Sequence, residues 1–347
     1  MNSVAGNNGL SWTRNLLRVI VAVICLVMAM RLAQHGATGL AASGFMSDRW
    51  TPLVTQAMLV FLLLLGYAGL GAILDRQVAP ISTQGLPLRK DWKTEAGMGI
   101  ATGWSIAVIA VTPLALIGGI AIHLDPTWDS WKWLLVDAGF FALFALAEEI
   151  GFRGYGFQRL VEALGALPAT ILFTVLYVEF QAALPGTTRV SIAVSAVLSL
   201  LLSMAYLRTR ALWVGWGLNF GWKASRALLF GLAVNGETNH SPVVTGDPMG
   251  PFWLTGGGFG LDASWWAFWL LLLAMPVVYR FTRDLNFVYN APLLRPSGIP
   301  VDLDAAGQRQ HEAAMGPATP TDASPAKLVQ IVAPEPGIPP PSTRSPE

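Results

Sequence analysis

The stretch Phe144-Ala-Leu-Ala-Glu148-Glu149-Ile-Gly-Phe-Arg153-Gly-Tyr-Gly-Phe157 places two adjacent glutamates at the end of a hydrophobic run. The run from Trp131 to Ala147 that precedes them is almost entirely apolar. Burying one carboxylate at a bilayer centre costs about 2.5–3.5 kcal/mol on insertion scales, and a neighbouring like charge adds to this cost. We therefore expect a compensating role for the pair, which is either chemistry or a clamp between helices.

The composition around this stretch is that of a polytopic membrane protein. Of the 347 residues, 53% are hydrophobic and 12% are charged, whereas a soluble domain carries about 25% charged residues. The formal net charge of +1 gives no reason to propose nucleic acid as a partner. We predict an all-α fold of about eight transmembrane helices around an intramembrane cavity, with membrane lipid as a partner.

Eight segments approach the length of about 20 apolar residues that crosses a bilayer as a helix. They are Asn15–Ala33, Trp50–Leu74, Ala96–Ile122, Trp131–Ala147, Ala166–Leu184, Val190–Leu207, Ala211–Val234 and Ser264–Tyr279.

Lysine and arginine residues alternate between the loops that join these segments, and basic loops face the cytoplasm. The basic positions are Arg14 and Arg18, then Arg76, Arg89, Lys90 and Lys93, then Arg153 and Arg159, then Arg208 and Arg210, then Arg280 and Arg283. The pattern predicts a multi-pass membrane protein with cytoplasmic N- and C-termini, and we expect it to lie in a bacterial inner membrane.

Three regions are expected along the chain. Residues 1–130 form N-terminal transmembrane helices, 131–290 form the core that holds the glutamate pair, and 291–347 form a disordered cytoplasmic tail. The tail is rich in Pro, Ala, Ser and Thr and cannot bury enough apolar surface to order itself.

The glutamate pair suggests a division of roles. Glu149 and Arg153 are four residues apart, so they share a helix face and can pair. Glu148 points about 100° away and is free to act as a general base on water. The alternative is an acid cluster at a helix end that reaches the interface beside Arg153 and Arg159. The residues alone leave these two interpretations equal.

Two later segments also carry polar groups. Tyr177 and Gln181 share one helix face, and Asn219 and Lys223 share another. A lysine inside a span normally finds a carboxylate, and the candidates for Lys223 are Glu148 and Glu179. We expect Glu179 to pair with Arg226 or to be a neutral acid rather than a catalytic base.

Three motifs occur in order along the chain. The first is E-E-x-x-x-R, at Glu148, Glu149 and Arg153; the second runs from Phe173 to Tyr177, and the third is Asn219-Phe-Gly-Trp-Lys223. Together they resemble the CPBP family of intramembrane proteases, which includes the CAAX prenyl endopeptidases and bacteriocin-immunity relatives. The resemblance covers residues 131–264.

The resemblance implies an all-helical fold with a conical cavity and a membrane-embedded or prenylated peptide as substrate. In active members the first glutamate, two histidines and an asparagine activate a water that attacks a peptide bond. Carried over, Glu148 is the base, and Glu149 with Arg153 supports it. The two histidine positions hold Tyr177 and Asn219 here, and the asparagine position holds Lys223.

The departures from the family pattern bear on activity. The phenol of Tyr177 and the amide of Asn219 cannot replace imidazoles as acid–base groups, and Lys223 can occupy Glu148 as an ion pair. The four histidines, His35, His123, His240 and His311, fall in outer loops or the tail, and Cys25 is the only cysteine. We therefore expect no metal site and no cofactor.

Two hypotheses stay open. In one, the chain is a working protease in which Tyr177 and Asn219 polarise the carbonyl. In the other, which we favour, it is a pseudoprotease, a membrane scaffold or binding module that has lost turnover. A transporter is disfavoured because the order of the motifs follows the protease family.

Overall fold

The computed structural model describes residues 4–238 and 243–289. The predicted tail at 291–347, His240 and His311 lie outside these ranges. The helices are α1 Val4–Ala42, α2 Thr51–Leu74, α3 Pro80–Thr83, α4 Trp92–Leu116, α5 Trp128–Arg153, α6 Tyr155–Leu164, α7 Ala166–Ala182, α8 Arg189–Thr209, α9 Trp213–Ala224, α10 Phe252–Thr255 and α11 Trp265–Tyr289. Two short strands, β1 Ile120–Leu124 and β2 Val244–Pro248, form an antiparallel pair.

The structure confirms an all-α membrane fold, since each of the eight predicted segments overlaps one of these helices. Five of the described helices, α1, α2, α4, α8 and α11, are long and apolar enough to cross a membrane, and α7 is a shorter apolar helix. Helices α5 and α9 carry the charged motifs.

Three predicted positions need correction. The segment Ala96–Ile122 was predicted too long, because α4 ends at Leu116 and Ile120 begins β1. The segment Ala211–Val234 was also too long: α9 passes into a π-helical turn at Ser225–Leu229, and the helical structure stops there. His35 is not in a loop, because α1 continues to Ala42.

Contacts between loops define the two ends of the bundle. At one end, Asp75 after α2 pairs with Arg18 of α1 at 2.7 Å and with Arg159 of α6 at 3.8 Å. At the other end, β1 and β2 join the loop after α4 to the loop before α11. Arg18, Asp75 and Arg159 therefore meet at one end of the bundle, and the cytoplasmic orientation of the basic loops stays a prediction. The division of the helical region at residue 130 also stays a prediction.

Glycines bring the backbones of α4 and α9 into close contact. A Cβ placed on Gly99 would lie 3.1 Å from the Cα of Gly217, and one on Gly221 would lie 3.0 Å from the amide nitrogen of Trp104. Small residues at such a crossing allow two membrane helices to pack closely. This contact fixes α9 against α4.

Side-chain caps fix where helices α5 and α8 begin. Thr127 accepts a hydrogen bond from the Ser130 amide before α5, and Thr188 with Ser191 forms a reciprocal capping box before α8. Such caps satisfy amides that the first turn leaves unpaired.

Candidate functional site

Glu148 lies at the centre of a buried polar cluster built from three helices. Its Oε2 accepts a hydrogen bond of 2.6 Å from Asn219 Nδ2 and forms an ion pair with Lys223 Nζ. Its Oε1 is 3.4 Å from the hydroxyl of Tyr177. Helices α5, α7 and α9 thus direct their predicted site residues toward one carboxylate.

The spacing of α9 explains why two donors reach the same oxygen. Asn219 and Lys223 are one turn apart and project from one face, and both are at most 1% exposed. The Lys223 ammonium also lies 4.1 Å from the centroid of the Phe144 ring, which provides a cation–π contact. The π-helical turn that follows at Ser225–Leu229 is of a kind frequent at functional sites.

Glu149 and Arg153 form a second buried pair on another face of α5. The Arg153 guanidinium is 3.5 Å from Glu149 Oε1 and donates to both the carbonyl and the hydroxyl of Ser199, at 3.1 and 3.0 Å. The Ser199 hydroxyl is in turn 3.2 Å from that of Thr174. Arg153 therefore ties α5 to α8, with α7 joined through the Thr174 hydroxyl.

Tyr177 connects the two pairs. Its ring lies 5.2 Å from the Arg153 guanidinium and packs edge-on against Phe152 at 5.0 Å. Its hydroxyl accepts a hydrogen bond of 3.0 Å from Gln181, which confirms the shared face predicted for these two residues. The phenol is thereby held beside Glu148.

Gly215 makes room for the second carboxylate. A Cβ on this glycine would lie 2.6 Å from Glu149 Oε2 and 3.1 Å from Glu149 Cδ. Glu149 is fully buried, so its carboxylate has little freedom to retreat. Whereas Gly217 and Gly221 serve the contact with α4, Gly215 serves the site.

The structure excludes the interfacial alternative for the glutamate pair and one of the two roles expected for Glu179. The glutamates do not reach an interface beside Arg159, because Glu148 is 9% exposed and Glu149 is 0% exposed. Arg226 does not pair with Glu179, which lies on the exposed side of α7. Its partner is Asp262, at 2.9 Å, which also accepts the Asn235 amide at 3.1 Å.

Ser199, Gly215 and Asp262 are contributors that the sequence reasoning missed. A signal for Ser199 was present, because serines recur every four residues along α8 and all are buried, at Ser191, Ser195, Ser199 and Ser203. Four-residue spacing places them on one face. Gly215 and Asp262 have no comparable local signal.

The charges of the cluster balance, and the carboxylate of Glu148 is already engaged by donors from the protein. Two carboxylates, Glu148 and Glu149, face two cations, Arg153 and Lys223, and both oxygens of Glu148 have donors nearby. A general base must be within hydrogen-bond reach of the proton it takes, and here the protein's own donors fill those positions. Within the described residues, no group of three or more His, Cys, Asp or Glu could hold a metal ion.

A comparison with protein families matches the part of the chain that carries this cluster. Residues 128–225 match the family model described as "Type II CAAX prenyl endopeptidase Rce1-like". No curated protein and no solved structure matches the chain. All six predicted site residues fall inside the matched segment. Residues 128–225 are therefore similar to an Rce1-like type II CAAX prenyl endopeptidase domain, which agrees with the resemblance predicted from the order of the motifs.

Proposed function

We propose that this protein keeps the architecture of a CAAX-type intramembrane endopeptidase, has lost turnover, and acts as a membrane-embedded scaffold or binding module. The proposal rests on one observation: Glu148 Oε2 forms an ion pair with Lys223 and also accepts a hydrogen bond from Asn219. Its expected partners are membrane lipid and a membrane-embedded or prenylated peptide. The proposal keeps the cytoplasmic termini that the basic loops predict and the expected location in a bacterial inner membrane.

Loss of turnover follows from what the donors do to Glu148. To activate a water, the carboxylate must accept the water's proton as the oxygen attacks. Lys223 competes for the carboxylate, and it is itself 1% exposed, so solvent offers it no alternative partner. Removing a positioned acid or base typically costs about 10²–10⁴ in rate, and neither Tyr177 nor Asn219 supplies the missing imidazole chemistry.

A structural role explains why the polar groups remain without turnover. Removing one partner from a buried ion pair costs about 3–5 kcal/mol, because the other charge is left uncompensated. Arg153 and Lys223 each lie in such a pair. The Lys223 pair joins α9 to α5, whereas Arg153 pairs within α5 and joins α8 through its hydrogen bonds to Ser199. The cluster therefore acts as a clamp between α5, α7, α8 and α9, which is what a rigid scaffold requires.

A working protease with an altered site is the second candidate. The observation in its favour is that Tyr177 and Asn219 both present donors next to Glu148. Donors of this kind can stabilise the negative oxygen of a tetrahedral intermediate. In that account, substrate entry would draw Lys223 away from Glu148.

A cleavage assay separates the two accounts. The purified protein in liposomes is incubated with a farnesylated peptide ending in a CAAX sequence, and products are counted by mass spectrometry. The proposal predicts that wild type releases no more product than Glu148→Ala. Cleavage by wild type that Glu148→Ala abolishes, and that an exposed-site variant such as Lys132→Ala retains, would establish the working protease instead.

A further inference from the structure

A cleft of about 770 Å³ opens at the end of the bundle opposite Asp75. It lies between the last turns of α1, the first turns of α2 and the first half of α5, and Glu237 completes its lining. None of the six residues of the candidate site lines it. Its volume is within the range of small-molecule sites, about 300–1,000 Å³.

An aromatic layer separates this cleft from the Glu148 cluster. Phe140, which lines the cleft, stacks on Phe144 with ring centroids 5.6 Å apart and an angle of 20° between the rings. Phe144 in turn contacts Lys223. Phe140 and Glu148 are eight residues apart on α5, which is about 12 Å along the helix. The cleft is therefore a distinct site.

The charges of the cleft are predominantly negative. Among the described residues, its lining contains three carboxylates, Asp48, Asp137 and Glu237, and one guanidinium, Arg49. Arg49 is 2.9 Å from Asp137, which is 8% exposed, so this pair is internally balanced. Asp48 and Glu237 are both exposed and leave an excess of negative charge at the mouth.

Two buried polar atoms in the same lining have no hydrogen-bond partner among the described residues. Gln56 Oε1 and Thr51 Oγ1 are inaccessible and make no hydrogen bond to any described residue. Buried polar atoms are normally paired, and an unpaired one costs about 1–3 kcal/mol. A rotation of the Gln56 amide toward the cleft would let a ligand N–H pair its oxygen.

The remaining lining is apolar. Ala41, Ala42, Pro52 and Phe140 provide it, and the Phe140 ring is able to receive a cation on its face. The cleft thus combines a negative mouth, unpaired acceptors and a hydrophobic wall. An amphiphile whose head is a donor-rich cation matches all three.

We propose that this cleft binds an amphiphile with a primary ammonium head, either a soluble single-chain amine or the head group of an ethanolamine phospholipid. The ammonium lies between Asp48 and Glu237 and donates to the Gln56 amide oxygen, and the hydrocarbon chain packs along Pro52 and Phe140. The inference goes beyond the proposed function, because it uses none of the Glu148 cluster.

Calorimetric titration of the purified full-length protein with decylammonium, in dodecyl maltoside micelles and corrected with protein-free micelles, tests the proposal. We expect saturable binding that weakens at least about tenfold in Asp48→Asn/Glu237→Gln, a loss of about 1.4 kcal/mol. The matched control, Asp129→Asn/Asp247→Asn, removes two exposed carboxylates that do not line the cleft and should bind as wild type does.

Two further probes sharpen the result. Decyltrimethylammonium carries the charge without N–H donors and should bind to wild type more weakly than decylammonium does. In Gln56→Leu the difference in affinity between the two ligands should be smaller. Equal binding of decylammonium to the two double variants, or displacement of decylammonium by decanoate, would overturn the proposal.

Nanodiscs distinguish the source of the ammonium. If the lipid head group is the natural occupant, ethanolamine phospholipids will weaken the apparent binding of decylammonium to wild type relative to choline phospholipids, and will leave Asp48→Asn/Glu237→Gln unaffected. If single-chain amines are the occupants, binding to wild type will be the same in both lipids. Cleavage is not a readout here, so the outcome is independent of the proposed function.

Discussion

Lys223 of α9 and Glu148 of α5 form an ion pair in which the two side chains are 1% and 10% exposed. Asn219, one turn before Lys223, donates to the same carboxylate oxygen at 2.6 Å. In the family that this region resembles, the corresponding glutamate is the base. The partner of this glutamate therefore determines whether it serves catalysis or holds helices together. Here that partner is a buried cation.

Gly215→Ala is expected to destabilise the protein by about 1–3 kcal/mol, because the new methyl group would overpack the Glu149 carboxylate. Gly97→Ala on α4 is the matched control, since a Cβ there meets nothing within 4 Å. Reversible unfolding in mixed micelles measures both variants. Addition of Glu149→Asp, whose carboxylate is one methylene shorter, should restore part of the loss. Equal effects of the two alanine substitutions would show that Gly215 is not needed for space.

Ser199→Ala is expected to lower the free energy of unfolding by about 1.5–3 kcal/mol, because the charged Arg153 guanidinium loses the hydrogen bond that it donates to the Ser199 hydroxyl. Ser203→Ala provides a control on the same face of α8: its hydroxyl is buried and makes no hydrogen bond to a described residue. That substitution should be neutral or slightly stabilising. If Ser203→Ala were the more damaging of the two, the Arg153 contact would not be the source of stability.

Arg226→Met is expected to destabilise by about 3–5 kcal/mol, because it leaves Asp262 buried without its cation. Combining it with Asp262→Asn should recover much of the loss, since the asparagine oxygen can still accept the Asn235 amide. Arg280→Met, at an exposed position of α11, should have little effect. Thermal denaturation of the four proteins checks this, and no recovery in the double variant would contradict it.

Restoring the family residues is expected to create cleavage where wild type has none. The triple variant Tyr177→His/Asn219→His/Lys223→Asn replaces the cation with the amide and supplies two imidazoles beside Glu148. Its activity on a farnesylated peptide should disappear when Glu148→Ala is added. Cleavage that persists without Glu148 would show that a contaminant or another group is responsible.

The site was largely predictable because the bilayer enforces partners. A buried lysine needs a carboxylate, and the four-residue spacing of Asn219 and Lys223 fixed which donors act together. The pairing of Glu149 with Arg153 followed from the same spacing. These predictions depend on local geometry and on the cost of a charge in lipid, and both can be read from the chain.

The positions that could not be predicted depend on how helices are rotated against one another. Glu179 was the expected partner of Arg226, but in the packed structure Glu179 lies on the exposed side of α7 and Arg226 pairs with Asp262. Gly215 faces a carboxylate while Gly217, two residues later, faces α4. The ends of α4 and α9 were misjudged because apolar residues continue into β1 and the turn after Leu229.

The coupling free energy between Glu148 and Lys223 tests the central claim most directly. It is obtained from the unfolding free energies of wild type, Glu148→Gln, Lys223→Met and the double variant. We predict that each single substitution is destabilising and that the double variant is more stable than additivity allows, by about 2 kcal/mol or more. Additive effects within about 0.5 kcal/mol would show that Lys223 does not hold Glu148.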